Sequence, residues 1–467
     1  MYNFVIKKNT NKYDYTELIK IFLTPEEFRA YTEDEFDELS PEEKESGKTV
    51  YFNECASDDK NLIKRRIYSF LSHETGQKPP WGILTGVRPV KLTGELFDSL
   101  SDEDKVRKEL AETYLISREK ADLLIDTYKY QQKVCGKPPH NSIGLYIGIP
   151  FCPTRCLYCS FTSNQVTESE IIRYLEALKK EIAYVGRRMK ETGLWPESIY
   201  IGGGTPTTLT AEQLDDLLTT VEDNRDISNT LEFTVEAGRP DTITFEKLQA
   251  IKRHGVQRIS INPQSMKERT LELIGRSHQP LDIIKAFEKS NRAGISMVNA
   301  DIIAGLPEEE PWDCADTLKK ILELAPENIT VHTLAVKRAS RLVEVDKDYH
   351  YKQGERVKEM LDISREMLSE AGYRPYYLYR QKHMAGSFEN VGYCKEETPC
   401  IYNIRIMEEH QTILALGAGG ISKMYYPEEN RLERVPNVSN YEIYISRLDK
   451  MLERKEKNVF MEVERRC

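Results

Sequence analysis

Cys152, Cys156 and Cys159 fall within the run Ile149-Pro150-Phe151-Cys152-Pro153-Thr154-Arg155-Cys156-Leu157-Tyr158-Cys159. The spacing is C-x3-C-x2-C, with no fourth cysteine or histidine close behind. Four cysteine thiolates ordinarily hold a [4Fe–4S] cluster. Three leave one iron open to a non-protein ligand, and an open iron is a reactive site. Blander readings compete. Cys156-x-x-Cys159 alone suits a redox pair or half a zinc site, and buried free thiols are common core residues. A structural zinc centre needs four closed ligands, yet the neighbouring histidines are His140, upstream, and the distant His254. Pro150 and Pro153 disfavour helix around the thiols. The spacing therefore predicts a loop on which three sulfurs converge.

Two further features could bear chemistry. The run Gly202-Gly203-Gly204-Thr205-Pro206-Thr207 allows close backbone approach to a ligand and positive φ angles. A tight turn after a strand is the plain alternative. The run has neither the spacing of a dinucleotide fingerprint nor the lysine of a P-loop. Glu236 and Asp301 are carboxylates on apolar runs, where lost hydration demands partners. A ligand with hydroxyls and a cationic centre would supply them, and so would a nearby Arg258 or Arg276.

The elements that must position these groups are legible from residue 143 onward. Apolar, β-branched runs at 143–149, 197–202, 231–236, 257–262, 297–303 and 329–334 alternate with amphipathic stretches at 168–190, 211–222, 244–254, 281–293 and 313–324. Such alternation predicts a parallel sheet with helices packed outside it. Six units suggest an α/β fold closed as a barrel or partial barrel, with a doubly wound open sheet as the competitor. Cys152, the glycine run, Glu236, Asn262, Gln264 and Asp301 all fall at or near the carboxyl ends of the expected strands. Parallel α/β folds build their sites there.

The expected domains are an N-terminal accessory domain (1–140), the barrel core (141–340) and a C-terminal α+β extension (341–467) closing the substrate side. The first reads as helical or α+β. Its acidic helices, 24–46 and 101–133, flank Pro79-Pro80-Trp81-Gly82-Ile83-Leu84-Thr85-Gly86-Val87-Arg88-Pro89-Val90-Lys91-Leu92. The extension begins with an amphipathic helix (352–371) and ends in a charged one (440–457).

Bulk composition excludes several classes. The chain has 467 residues, 39% hydrophobic and 30% charged, ordinary for a globular protein with a large core. Its 66 basic and 76 acidic residues give a net charge of −10, so neither nucleic acid nor an anionic membrane is an expected partner. No apolar run approaches the roughly 18 residues of a membrane span. The N-terminus lacks the apolar region of a signal peptide. Nine cysteines, an odd number without a secreted spacing pattern, suit reduced thiols in a cytoplasm.

The cysteine loop resembles that of radical S-adenosylmethionine (SAM) enzymes. Its surroundings resemble the oxygen-independent coproporphyrinogen III oxidase family. The matching residues are Leu145-Tyr146-Ile147-Gly148-Ile149-Pro150-Phe151-Cys152, Gly202 to Thr207, Gln264, Gly275-Arg276-Ser277-His278, Asp301-Ile302-Ile303-Ala304-Gly305-Leu306-Pro307 and Leu416-Gly417-Ala418-Gly419-Gly420-Ile421-Ser422. Trp81 to Leu92 and Tyr377 to Gly386 are similar to its HemZ-type, or coproporphyrinogen dehydrogenase, branch. Two positions depart from the pattern. Gly148 stands where members commonly carry His, and Phe161 where well-known oxidases carry a further cysteine. Phe at the latter position also occurs in a related heme-chaperone branch. That branch carries a His-Asn-x-x-Tyr-Trp run, where this chain reads Pro399-Cys400-Ile401-Tyr402-Asn403.

The resemblance implies an α/β fold with a partial (β/α)6, TIM-like radical SAM barrel in which Cys152, Cys156 and Cys159 ligate a [4Fe–4S] cluster and SAM chelates the fourth iron. Tyr146, Gly203, Glu236 and Ala335 would contact that SAM. A second SAM site would be lined by Tyr158, Gly204, Thr205, Gln264, Arg276, Asp301 and Ile421. The implied reaction is oxidative decarboxylation of coproporphyrinogen III to protoporphyrinogen IX. Hydrogen leaves the β-carbon of a propionate, loss of CO2 and one electron leaves a vinyl group, and the sequence repeats on a second propionate. A ferredoxin or flavodoxin is the expected electron donor. The alternatives are a heme chaperone, or another radical reaction on a tetrapyrrole such as methyl transfer or ring opening. Arg88, Lys91, Arg338 and Arg341 are candidate propionate partners, the alternative for each being a solvated surface charge.

Overall fold

The acidic N-terminal stretch conceals three short strands: β1 (Tyr2–Ile6), β2 (Phe28–Thr32) and β3 (Lys48–Phe52). They form a parallel sheet in the order β2-β1-β3. Phe4, Ile6, Phe28 and Phe52 pack there with Ile63, Ile67 and Leu71 of the helix Lys60–Thr75. The expectation of one acidic helix over 24–46 is thus corrected. Phe28 and Ala30 lie on the apolar side of a strand, and the acidic residues that follow form the short helix Glu33–Asp37, capped by Thr32 and Glu35. Packing of the alternate residues Phe28 and Ala30 against the core outweighs the helical propensity of the glutamates.

The computed structural model describes residues 1–6, 12–52, 59–161, 163–224, 229–337, 340–345, 349, 353–381 and 384–466. The chain divides into two compact units. One comprises Met1–Lys129 with Tyr379–Lys382 and Gly386–Phe388, and the other comprises Tyr130–Leu378, His383–Ala385 and Glu389–Cys467.

The second unit carries the expected alternation. Its six parallel strands are β4 (Ser142–Ile149), β5 (Trp195–Gly203), β6 (Glu232–Glu236), β7 (Arg258–Ser260), β8 (Met297–Ala304) and β9 (Asn328–Thr333). Each lies beside its successor in sequence. That order decides against a doubly wound sheet, whose strand order would reverse at a switch point. The helices Glu168–Thr192, Ala211–Asp223, Phe245–Arg253, Pro280–Ala293 and Pro311–Leu324 return the chain between strands. Each buries one apolar stripe, such as Leu175, Leu178 and Ile182 of the first.

The barrel wall is partial, and the C-terminal residues extend it at both edges. β10 (Arg374–Arg380) and β11 (Glu389–Cys394) continue beyond β9, with β11 antiparallel to it. β12 (Ile413–Leu416) adds parallel to β4, followed by antiparallel β13 (Ile421–Tyr426) and β14 (Arg431–Pro436). The result is one 11-stranded sheet. Without these additions β4 and β9 would expose unpaired backbone edges. The helix expected over 352–371 spans Gly354–Glu370, and the one expected over 440–457 is broken into Tyr441–Ser446 and Leu448–Lys455. Among the described residues, no helix is long and apolar enough to cross a membrane.

Candidate functional site

The cysteine loop leaves the carboxyl end of β4 and is tied down on three sides. Cys152 N–H donates to Asn164 O (3.0 Å), and Asn164 returns both its N–H and its side-chain amide to Pro150 O. Leu157 N–H donates to Ile274 O (2.9 Å). On the third side, Leu157 O accepts from Leu342 N–H (3.1 Å) and from Ser340 Oγ (3.0 Å). The prolines leave no helix here, as expected, and these bonds hold what they leave.

Within the loop Cys156 is buried, whereas Cys152 and Cys159 are partly accessible. Cys152 Sγ lies 3.4 Å from Thr205 Oγ1. Burial and the two neighbouring thiols push the Cys152 thiol up to about 11, against the pull of Thr205, and burial raises Cys159. These groups stay protonated until a metal replaces the proton, since a coordinating thiol is deprotonated outright. Among the described residues, no three Cys, His, Asp or Glu side chains converge tightly enough to hold a single ion. The three thiols are nonetheless close enough to perturb one another, which suits donors spread around a cluster.

The glycine run ends β5 directly against this loop. Gly204 N–H donates to Ile149 O and Thr205 N–H to Phe151 O, both at 2.7 Å. Gly203 adopts φ 113°, a conformation side chains avoid. A Cβ on Gly204 would sit 2.4 Å from Phe151 O, so the backbones approach more closely than any other residue permits. We therefore expect Gly204→Ala to destabilise the fold by about 1–3 kcal/mol and to lower iron uptake by displacing Phe151 and the adjoining Cys152. Urea unfolding and iron analysis after anaerobic reconstitution check this. Wild-type values for both would show that the contact is dispensable.

Tyr146, Tyr200, Glu236, Asp301 and His332 share the inner face of the barrel wall. Tyr146 pairs with Tyr200 in register, Tyr200 with Thr234 two positions before Glu236, and Asp301 with Thr330 two positions before His332. Tyr146, Tyr200 and Tyr402 stack with centroids 4.6–6.3 Å apart. Glu236 accepts from Tyr200 OH (2.5 Å) and from Gly203 N–H (3.2 Å). Burial pushes its carboxyl up to about 7, with the Tyr200 bond pulling the other way. Neither suggested arginine reaches it: Arg258 faces Glu232, and Arg276 donates to Tyr158 OH (3.0 Å). Asp301 lies 3.6 Å from His332 and accepts from Asn299 (2.7 Å). Burial raises its carboxyl, but His332 and Asn299 outweigh that and hold it below the usual range.

Tyr158 sits on the cysteine loop, bonded to Arg276, which also donates to Gly238 O and Asn262 O. Gln264 follows β7 with φ 66°, its N–H bonded to Asp301 O. Ala335 lies just past β9 and bridges to Met384. Ile421 opens β13 and is 47% exposed. The preceding turn, at Gly417, crosses close to Gly148 O. Arg88 and Lys91 lie at the start of the helix Pro89–Leu100 in the first unit, Arg341 is exposed, and Arg338 falls outside the described residues, as do Cys55 and Cys467.

Two residues were not singled out from sequence. His332 is a polar residue at an inward register of an apolar strand, the same signal that marked Asp301. Arg239 lies three residues beyond the end of β6, directly before Pro240, and its guanidinium reaches the cysteine loop.

The rim fits a liganded cluster on its own chemistry. The buried atoms Gln264 Oε1, Asn262 Oδ1 and Arg276 Nε find no hydrogen-bond partner among the described residues. Orphaned buried polar atoms are costly, and these three lie around the carboxyl end of β7, which Arg276 ties to the cysteine loop by bonding Asn262 O and Tyr158 OH. A [4Fe–4S] cluster on the thiols and a nucleotide carrying amino, carboxylate and ribose groups would satisfy such donors and acceptors.

Comparison with known proteins agrees with this chemistry. Residues 146–321 match the model of the Radical SAM superfamily. The chain is 38% identical over 397 residues to the oxygen-independent coproporphyrinogen-III oxidase-like protein HemZ of Bacillus subtilis, covering 84% of this chain and 79% of that protein. It is 35% identical over 194 residues to the heme chaperone HemW of the same organism, covering 41% of this chain and 50% of HemW. The solved coproporphyrinogen III oxidase (HemN) of Escherichia coli superposes with a TM-score of 0.53 at 22% identity, over 69% of this chain and 72% of that one, which shows a shared fold. The HemZ match, in both extent and identity, shows that this chain belongs to the oxygen-independent coproporphyrinogen-III oxidase-like family of radical SAM proteins.

Proposed function

We propose that this protein is a radical SAM oxidoreductase that decarboxylates two propionates of coproporphyrinogen III to give protoporphyrinogen IX. A [4Fe–4S] cluster and SAM, when bound, supply one-electron chemistry and a hydrogen-abstracting radical. In this reading Cys152, Cys156 and Cys159 hold the cluster, and Tyr146, Gly203, Glu236 and Ala335 orient one SAM. Tyr158, Gly204, Thr205, Gln264, Arg276, Asp301 and Ile421 line a second.

The observation that supports the reading is the set of orphaned atoms on Asn262, Gln264 and Arg276 around the carboxyl end of β7, with Arg276 bonded to Tyr158 of the cysteine loop. They mark a second polar surface, separate from the Tyr200–Glu236–Gly203 group. Two polar surfaces at one rim suit an enzyme that carries out the reaction on two side chains. The Tyr146–Tyr200–Tyr402 stack presents aromatic surface to the lumen and keeps bulk water from that side. An exogenous low-potential donor, of the ferredoxin or flavodoxin class, delivers the electron.

The heme-chaperone reading is favoured by the match to HemW and by one feature of the site. Phe161 is 68% exposed at the end of the cysteine loop, an apolar group suited to a flat hydrophobic ligand. One assay separates the two. Reconstituted protein is incubated anaerobically with SAM, a low-potential reductant and coproporphyrinogen III, and the product mass is measured. We expect the mass to fall by two carboxyl losses. Unchanged substrate beside tightly bound heme would replace the oxidase reading with the chaperone one. SAM consumption with any other mass change would indicate a different tetrapyrrole reaction.

A further inference from the structure

Arg239 is 3% exposed, and its guanidinium is fully engaged. Nε and Nη2 donate to the two oxygens of Asp241 (3.1 and 2.8 Å), and Nη2 also donates to Ser277 Oγ (2.8 Å). Nη1 turns the other way, to Thr154 Oγ1 (2.7 Å), Thr154 O (3.3 Å) and the sulfur of Cys156 (3.9 Å). Asp241 accepts from Ser277 as well, so the acid and the arginine are fixed as a unit. A brace for the loop would need only the Thr154 bonds. This arginine also places an N–H and a full positive charge against the most deeply buried of the three thiols.

We propose that Arg239 is a positioning residue that sets the reduction potential of the cluster through its contact with Cys156, with Asp241 as the opposing charge. This inference rests on the cluster reading above. Reduction adds negative charge that is shared by the ligating sulfurs. A donor and cation beside one sulfur favour the reduced state, and hydrogen bonds to cluster sulfurs raise the potential. Burial strengthens the effect because little water screens it. Asp241 works in the opposite sense, since its carboxylate cancels part of the arginine's field. The chain thus has a pair of adjacent groups whose removal shifts the potential in opposite directions.

The test is an EPR-monitored redox titration of the full-length, anaerobically reconstituted protein, with iron and sulfide content measured on each sample. Arg239→Gln should lower the midpoint enough to leave about tenfold less reduced cluster at a fixed potential, which for a one-electron couple is about 59 mV. Arg239→Lys, which keeps the charge, should recover part of that shift. Asp241→Asn should move the midpoint upward. A purely structural role would shift the two variants together or leave both at the wild-type value, and either result overturns the inference. If Arg239→Gln takes up no cluster, Asp241→Asn decides: an unchanged or lowered midpoint refutes the proposal. Wild-type protein that binds no cluster would overturn the cluster reading itself, and this inference with it.

Discussion

Anaerobically reconstituted Cys156→Ala protein is expected to lose its brown chromophore, most of its iron and sulfide, and SAM cleavage by more than about 100-fold. Partners that merely orient a metal ligand are worth 10- to 100-fold when removed, so loss of a ligand itself should exceed that. Cys156 is the buried member of the trio and faces Arg239, so no water-exposed group can readily replace it. Cys152→Ala and Cys159→Ala should behave alike. Cys394→Ala and Cys400→Ala serve as controls. Cys394 Sγ bonds to Tyr130 OH (3.6 Å) and Cys400 Sγ to Glu232 (3.1 Å), so both are buried packing residues. Iron content, the visible spectrum and 5′-deoxyadenosine release read the outcome. A Cys156→Ala protein that keeps a full cluster would remove that thiol from the site.

Glu181→Ala should destabilise the second unit by about 3–5 kcal/mol, the cost typical of stranding a buried charge. Glu181 lies on the helix Glu168–Thr192 and is fully buried with Lys455, whose Nζ approaches to 2.7 Å. The same carboxylate accepts from Tyr444 OH (2.6 Å), Asn437 (3.0 Å) and Gly417 N–H (2.7 Å). Burial opposes the ionised form, but Lys455 and these donors outweigh it and keep the carboxyl low. Removing the acid leaves the buried Lys455 ammonium with only the neutral Asn437 Oδ1 to accept from it, and leaves Tyr444 OH and Gly417 N–H without an acceptor. The midpoint of urea unfolding measures the cost, with an unchanged slope showing that compactness is preserved. The double variant Glu181→Met, Lys455→Met should recover much of the loss, because an apolar pair leaves no stranded charge. If the double variant is no more stable than the single, the ion pair is not the source of the effect. Gly417 belongs to the turn that crosses near Gly148, so the network also fixes a backbone segment at the rim.

Much of the second unit could be read from local pattern. The six apolar runs became β4 to β9 within a few residues, and the five amphipathic stretches became the helices between them. Periodicity is a short-range property, and neighbouring residues carry it. The cysteine spacing and the flanking prolines likewise specify a loop without reference to the rest of the chain. The N-terminal sheet was missed for the same reason. β1 to β3 are five residues each, interrupted by acidic segments whose propensity is helical, and packing of Phe4, Phe28 and Phe52 against the helices Lys12–Ile19 and Lys60–Thr75 makes them strands.

From the sequence alone came a three-thiol loop, a succession of parallel strands and the placement of the polar residues at their carboxyl ends. Tertiary structure alone decided the partners. Glu236 meets Tyr200 rather than an arginine, Arg239 reaches a sulfur 83 positions away, and Lys455 of a charged helix is buried against Glu181. The same folding sends C-terminal strands to both edges of the barrel wall. Spacing along a chain fixes which elements form and which way their faces point. Which buried charge meets which depends on contacts between distant segments, and those exist only once the segments have packed and water has been excluded.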